Sequence, residues 1–163
     1  GRIAGKQFLI AAIVGAPALL AEPRESMREG KIVDAIEKGS LAFRKMFETK
    51  IQYLISGEMK GEAEAVALIC PLISEQMSDS EQALEAAVID VESAAKVIAL
   101  VSTAAFGKWR DHRNILFTRT KSMRVQSRND IPAILDGEKI NLGGSAEITF
   151  VPKAVTVLVP ACR

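Results

Sequence analysis

From residue 114 onward the chain breaks into short β-rich runs, and this segmentation limits the fold more than any other feature. "NILFTRTKSMRVQS", "IPAIL", "KINLG", "AEITFV" and "AVTVLVP" are separated by polar or Gly-containing turns. Part of the first run alternates, with Met123, Val125 and Ser127 set against Arg124 and Gln126, the period of a strand with one buried face. Within "ILDGEKINL" the pair Asp136-Gly137 sits between apolar runs. That is a strong hairpin signal, because a type I′ turn needs positive φ at both central residues.

The first half adds strands and two helices. Residues 7–14, "QFLIAAIV", are continuously apolar and predict a strand buried on both faces, ended by Gly15-Ala16-Pro17. "KIQYLISG" and "EAEAVALIC" predict a hairpin around Gly-Glu-Met-Lys-Gly; "LEAAVID" predicts a further strand after the polar loop "SEQMSDSEQ". Ile32, Ile36, Phe43 and Phe47 form the apolar stripe of an amphipathic helix, with Gly39 weakening its middle. A second helix is expected over "VESAAKVIALVSTAAFG", with Ser93 as cap and Gly107 as stop. The reading is an α+β fold: a predominantly antiparallel β-sandwich carrying two or so helices. At 163 residues it forms one domain, residues 1–163.

Composition excludes several classes. A hydrophobic content of 48% rules out wholesale disorder, and a net charge of +1 gives no electrostatic reason to expect nucleic acid. Cys70 and Cys162 are too few and too far apart for a disulfide framework, and His112 has no ligand partner nearby in sequence, so a metal site is not expected. A reducing, cytoplasmic setting is the default. Arg2 and Lys6 before "FLIAAIVGAPALLA" imitate a secretory signal, but the run is too short to span a membrane and Gly15 and Pro17 interrupt it. The chain begins at Gly1 rather than Met, which predicts a processed chain or a piece of something longer.

Candidate chemistry centres on Asp136 and Glu138. A hairpin turn explains Asp136-Gly137 and leaves Glu138 unexplained. Two acids at i and i+2 of an extended segment project to one side, where they can bind a cation or divide the work of a base and its orienting partner. No Gly-x-Ser-x-Gly elbow is present, and Gly143-Gly144-Ser145 is too short for a phosphate loop. From the residues alone, turn and catalytic site both remain open.

The order of segments decides between them. Gly107-Lys108-Trp109 closes a helix and a basic, apolar strand follows; then come Asp136-Gly137-Glu138, Val151-Pro152-Lys153-Ala154 and Val157-Leu158-Val159-Pro160. This succession resembles the closing half of the diacylglycerol kinase family of lipid kinases. The first half is similar more loosely. Gly15-Ala16-Pro17-Ala18 stands where the family has Gly-Phe-Asp-Ala, and Ser80-Glu81-Gln82 stands where it often has Asp-Asp-Gly, so the roles of those acids do not carry over.

The resemblance implies the C-terminal domain of the NAD kinase/diacylglycerol kinase-like fold. The N-terminal nucleotide-binding domain, with its Gly-Gly-Asp-Gly-Thr motif, is then absent from this chain. It implies transfer of the γ-phosphoryl group of ATP to a lipid hydroxyl of the diacylglycerol or sphingoid-base kind. Asp136 would be the base and Glu138 its orienting partner, with Gly137 and Gly15 at the substrate. ATP and Mg²⁺ would be held mainly by the other domain, the fragment alone would be inactive, and the interior of the β domain would take the acyl chain. Peripheral contact with a membrane and a homodimer are compatible with this reading. The alternatives are a stand-alone lipid-binding or regulatory β-domain, and a kinase acting on a soluble nucleotide such as NAD.

Overall fold

The computed structural model describes residues 1–20, 50–74, 76–78, 81–90 and 115–156. These form twelve strands: β1 (Arg2–Ile3), β2 (Lys6–Gln7), β3 (Ala11–Gly15), β4 (Ile51–Ile55), β5 (Met59–Ala63), β6 (Ala65–Ile69), β7 (Leu84–Ile89), β8 (Ile115–Thr120), β9 (Ser122–Gln126), β10 (Pro132–Leu135), β11 (Glu138–Asn141) and β12 (Ser145–Thr149). Short 3₁₀ turns follow β3, at Ala16–Leu20, and β6, at Pro71–Ile73. The first sheet has the order β2-β1-β12-β9-β4-β5 and the second β11-β10-β3-β6-β7-β8. Every pairing among the described residues is antiparallel.

Period-two alternation builds the sandwich. The first sheet buries Ile51 and Ile55 of β4, Met123 and Val125 of β9, and Ala146 and Ile148 of β12, and exposes Gln52, Arg124, Gln126 and Glu147. The second sheet answers with Val14, Val66, Leu68, Leu84, Ala86 and Leu135, and the two sets join Ile3, Phe8 and Ile131 in one core. The second sheet is also buried on its other face, where Ala16, Ala65, Ala87, Ile89 and Ile115 cluster, so β7 is buried at all six positions.

Two predicted runs prove to be two strands each, because the chain changes sheets inside them. "EAEAVALIC" divides at Glu64 into β5 and β6. The Glu64 carbonyl accepts from Ala16 N–H at 2.9 Å and its N–H donates to the Ile89 carbonyl at 3.2 Å, which fixes the crossing. "NILFTRTKSMRVQS" divides at Lys121 into β8 and β9. The first hairpin turns tighter than expected, with Met59 already paired to Ile55. β7 and β10 to β12 lie where the sequence predicts them. The expected strand over residues 7–14 starts only at Ala11, because Leu9 and Ile10 give their N–H groups to a side chain rather than to a neighbouring strand. The two predicted helices, His112, Trp109, Cys162 and residues 157–160 fall outside the described residues.

Leu68 is fully buried at the centre of this core. Leu68→Ala is expected to cost about 2–5 kcal/mol, measured by denaturant unfolding, with Leu116→Ala on half-exposed edge strand β8 costing under about 1 kcal/mol.

Candidate functional site

The β10–β11 hairpin closes with the two-residue turn the sequence predicts. Leu135 pairs with Glu138, and Asp136 and Gly137 between them take φ of 48° and 96°. A Cβ on Gly137 would meet nothing within 4 Å, so the backbone angle, not crowding, selects glycine there. β10 also pairs with β3, which sets the turn beside the start of that strand: Asp136 N–H donates to the Ala11 carbonyl at 2.9 Å.

The Asp136 carboxylate turns back onto the same segment. Its Oδ2 accepts from Leu9 N–H at 2.7 Å, and its Oδ1 from Ile10 and Ala11 N–H at 2.9 Å each. Three successive amides converging on one anion form a backbone nest. Partial burial pulls the carboxyl upward, but the bonds from Leu9, Ala11 and Ile10 outweigh it and hold Asp136 below the usual carboxylate range. Three of roughly four lone-pair positions are occupied. Asp136 is therefore a fixed anion with little capacity to take up a proton at neutral pH.

Glu138 differs on each count. It is exposed on edge strand β11, and among the described residues its side chain makes no hydrogen bond or ion pair. Because Asp136 lies in the turn at positive φ, the rule that places i and i+2 on one side of an extended segment does not govern this pair. Gly15 lies elsewhere. It ends β3, four residues and about 13 Å from Ala11 at strand rise. Its φ is 102°, and a Cβ would sit 2.4 Å from the Glu64 carbonyl oxygen, so close backbone packing accounts for the glycine. The structure thus gathers Asp136, Gly137 and Glu138 and leaves Gly15 at the opposite end.

Sequence reasoning missed the donors, since main-chain amides leave no residue signature. It also missed what stands in the same row across the sheet. The register runs from Ala11 to Ile69, Glu85 and Arg119, and so ends about 19 Å from Asp136, four strand spacings away. Glu85 is buried and accepts a short bond from Ser74 Oγ, and Arg119 bonds the Gln76 carbonyl and Glu81, both at 2.9 Å. Gln76, Glu85 and Arg119, with Met77, Phe117 and Thr118, line an open cleft of about 660 Å³. Cys70, beside the nest, is buried, which pushes its thiol pKa up. Among the described residues no three His, Cys, Asp or Glu side chains gather as a metal-binding group, and Asp136 faces amides. These residues do not by themselves fit a Mg²⁺ site.

No family model matches this chain, and no curated protein does. Solved structures do. A "putative diacylglycerol kinase" from Bacillus anthracis str. Sterne is similar with a TM-score of 0.56 at 14% identity, over 94% of this chain and 56% of that one. A second structure of that description, from the same organism, gives 0.52 at 16% identity, over 94% and 57%. The chain spans little more than half the length of either, and what it shares with them at these identities is the fold.

Two outcomes follow from this geometry. Asp136 is depressed in the folded state, so its contribution is present above the ordinary Asp value of about 3.9 and is lost as pH falls through the lower folded value. Asp136→Asn is expected to lower stability by roughly 1 kcal/mol at pH 7, with allowance for solvent around an exposed turn, and to flatten the unfolding free energy between pH 5 and 2. Gly15→Ala is expected to cost more than about 2 kcal/mol through strain and clash, against about 1 kcal/mol for Gly5→Ala, whose Cβ would meet open space. Urea unfolding of the two variants checks this.

Proposed function

We propose that this chain is the lipid-side β-sandwich domain of a kinase that transfers the γ-phosphoryl group of ATP to a lipid hydroxyl of the diacylglycerol or sphingoid-base kind. The observation that carries the reading is the Asp136-Gly137-Glu138 turn. It presents one immobilised carboxylate and one that is unpartnered among the described residues, in a fold shared with a protein described as a "putative diacylglycerol kinase".

Phosphoryl transfer asks the protein for positioning and for a group to receive the hydroxyl proton. In this proposal the two acids exchange the roles that the sequence suggests. Asp136, bonded to three amides, is the fixed element that holds the turn against β3. Glu138, exposed and unpartnered among the described residues, takes the proton as the lipid oxygen attacks phosphorus. Gly137 lets the backbone approach the substrate. ATP and Mg²⁺ are assigned to a nucleotide domain outside this chain, and no step here is routed through them. The setting is cytoplasmic, where ATP is supplied. Among the described residues no helix is long and apolar enough to cross a membrane.

The test is a labelled-ATP lipid phosphorylation assay on the longer protein that carries the nucleotide domain. Glu138→Gln is expected to lower kcat ~10²–10⁴-fold, and Asp136→Asn to act mainly through stability. A Glu138→Gln enzyme that keeps more than a tenth of wild-type kcat would remove Glu138 from the base role.

A further inference from the structure

Among the described residues each sheet ends in two edge strands, β2 and β5 in the first and β11 and β8 in the second. An edge offers main-chain N–H and C=O groups to a further strand, and its side chains decide which strand is accepted. β5 reads Met-Lys-Gly-Glu-Ala and pairs along one side with β4. Lys60 and Glu62 are exposed, opposite in charge and two residues apart, so both project from the outer face with Gly61 between them.

Two copies of one edge strand that pair about a two-fold axis run antiparallel, and the axis stands normal to the sheet, so each face keeps its side. Residues that meet across the axis are therefore an even number of positions apart. With the axis at Gly61, Lys60 of each copy lies opposite Glu62 of the other, which gives two ion pairs from one strand sequence. The same operation sets Met59 opposite Ala63 and covers Met59, which is 37% exposed and is the one strand residue of the first sheet among the exposed large hydrophobics. The position on the axis is a glycine, so no side chain faces its own copy. Glu62 accepts from Gln52 Nε2 at 3.2 Å through Oε1, which holds the carboxylate on the outer face with Oε2 open to a lysine.

The other edges do not meet this requirement. Glu138 and Lys139 of β11 are adjacent and project to opposite faces, and an axis at Lys139 would oppose two lysines. β8 carries one charged residue, Arg119, already joined to Glu81, and β2 has two residues. We infer that β5 is a self-complementary edge through which two copies of this chain pair, continuing the six-stranded sheet of one into that of the other. The inference is independent of the kinase reading, since β5 holds none of the residues that reading uses.

The experiment is sedimentation velocity of the 163-residue chain from about 10 to about 500 μM, because a five-residue pairing is a small interface of the weak class. Wild type is expected to show a monomer–dimer equilibrium in that range. Lys60→Glu and Glu62→Lys each set like charges opposite one another twice, and each alone is expected to weaken dimerisation ~tenfold or more with an unchanged circular dichroism spectrum. Mixed in equal amounts, the two variants are expected to form a heterodimer as tight as the wild-type dimer, because each supplies the charge the other lacks. The double variant Lys60→Glu/Glu62→Lys is expected to pair with itself as wild type does. A wild-type chain that stays monomeric, single variants that dimerise undiminished, or a mixture and a double variant that fail to recover would each overturn the pairing.

Discussion

One carboxylate ties together one end of the second sheet. Asp136 reaches from the β10–β11 turn to three successive amides at residues 9–11, more than a hundred positions away in sequence. That contact decides where β3 starts, why Leu9 and Ile10 lie outside the ladder, and which way the turn faces. Hydrogen bonds to an ionised acceptor are stronger than neutral ones, and three converge on this one group. The neighbouring Glu138 has no such anchor among the described residues. Two acids separated by one glycine have been given opposite environments, and the division of labour proposed for them rests on that difference.

Much of this was legible in the residues. Asp136-Gly137 between apolar runs specifies its turn because few other pairs accept positive φ twice, and the alternation of Met123 and Val125 with Arg124 and Gln126 announces one buried face. What could not be read were the crossings at Glu64 and Lys121. Both lie inside runs that look continuous, since a strand leaving one sheet for the other needs no breaker residue when backbone bonds, such as Ala16 to Glu64, steady the corner. The apolar run 7–14 misled for a related reason. Leu9 and Ile10 are as hydrophobic as their neighbours, yet a distant side chain claims their amides.

The candidate site was legible in part. Its acids stand out because a turn has no need of Glu138. Gly15 drew attention as a glycine after a strand, but its place is explained by contact with the Glu64 carbonyl, a packing demand that a sequence motif does not distinguish from a substrate's demand. The amide nest has no side-chain signature at all, and the row from Ala11 through Ile69 to Glu85 and Arg119 exists only once four strands are in register.

β11 is an edge strand, and edges are where folded chains nucleate disordered pairing with one another. Its exposed Glu138 and Lys139 lie along that edge, so the carboxylate proposed for proton transfer also discourages a second molecule from adding itself to the sheet. Selection on this position would therefore act through solubility as well as through turnover. A chain that lost its chemistry would still have reason to keep a charge there.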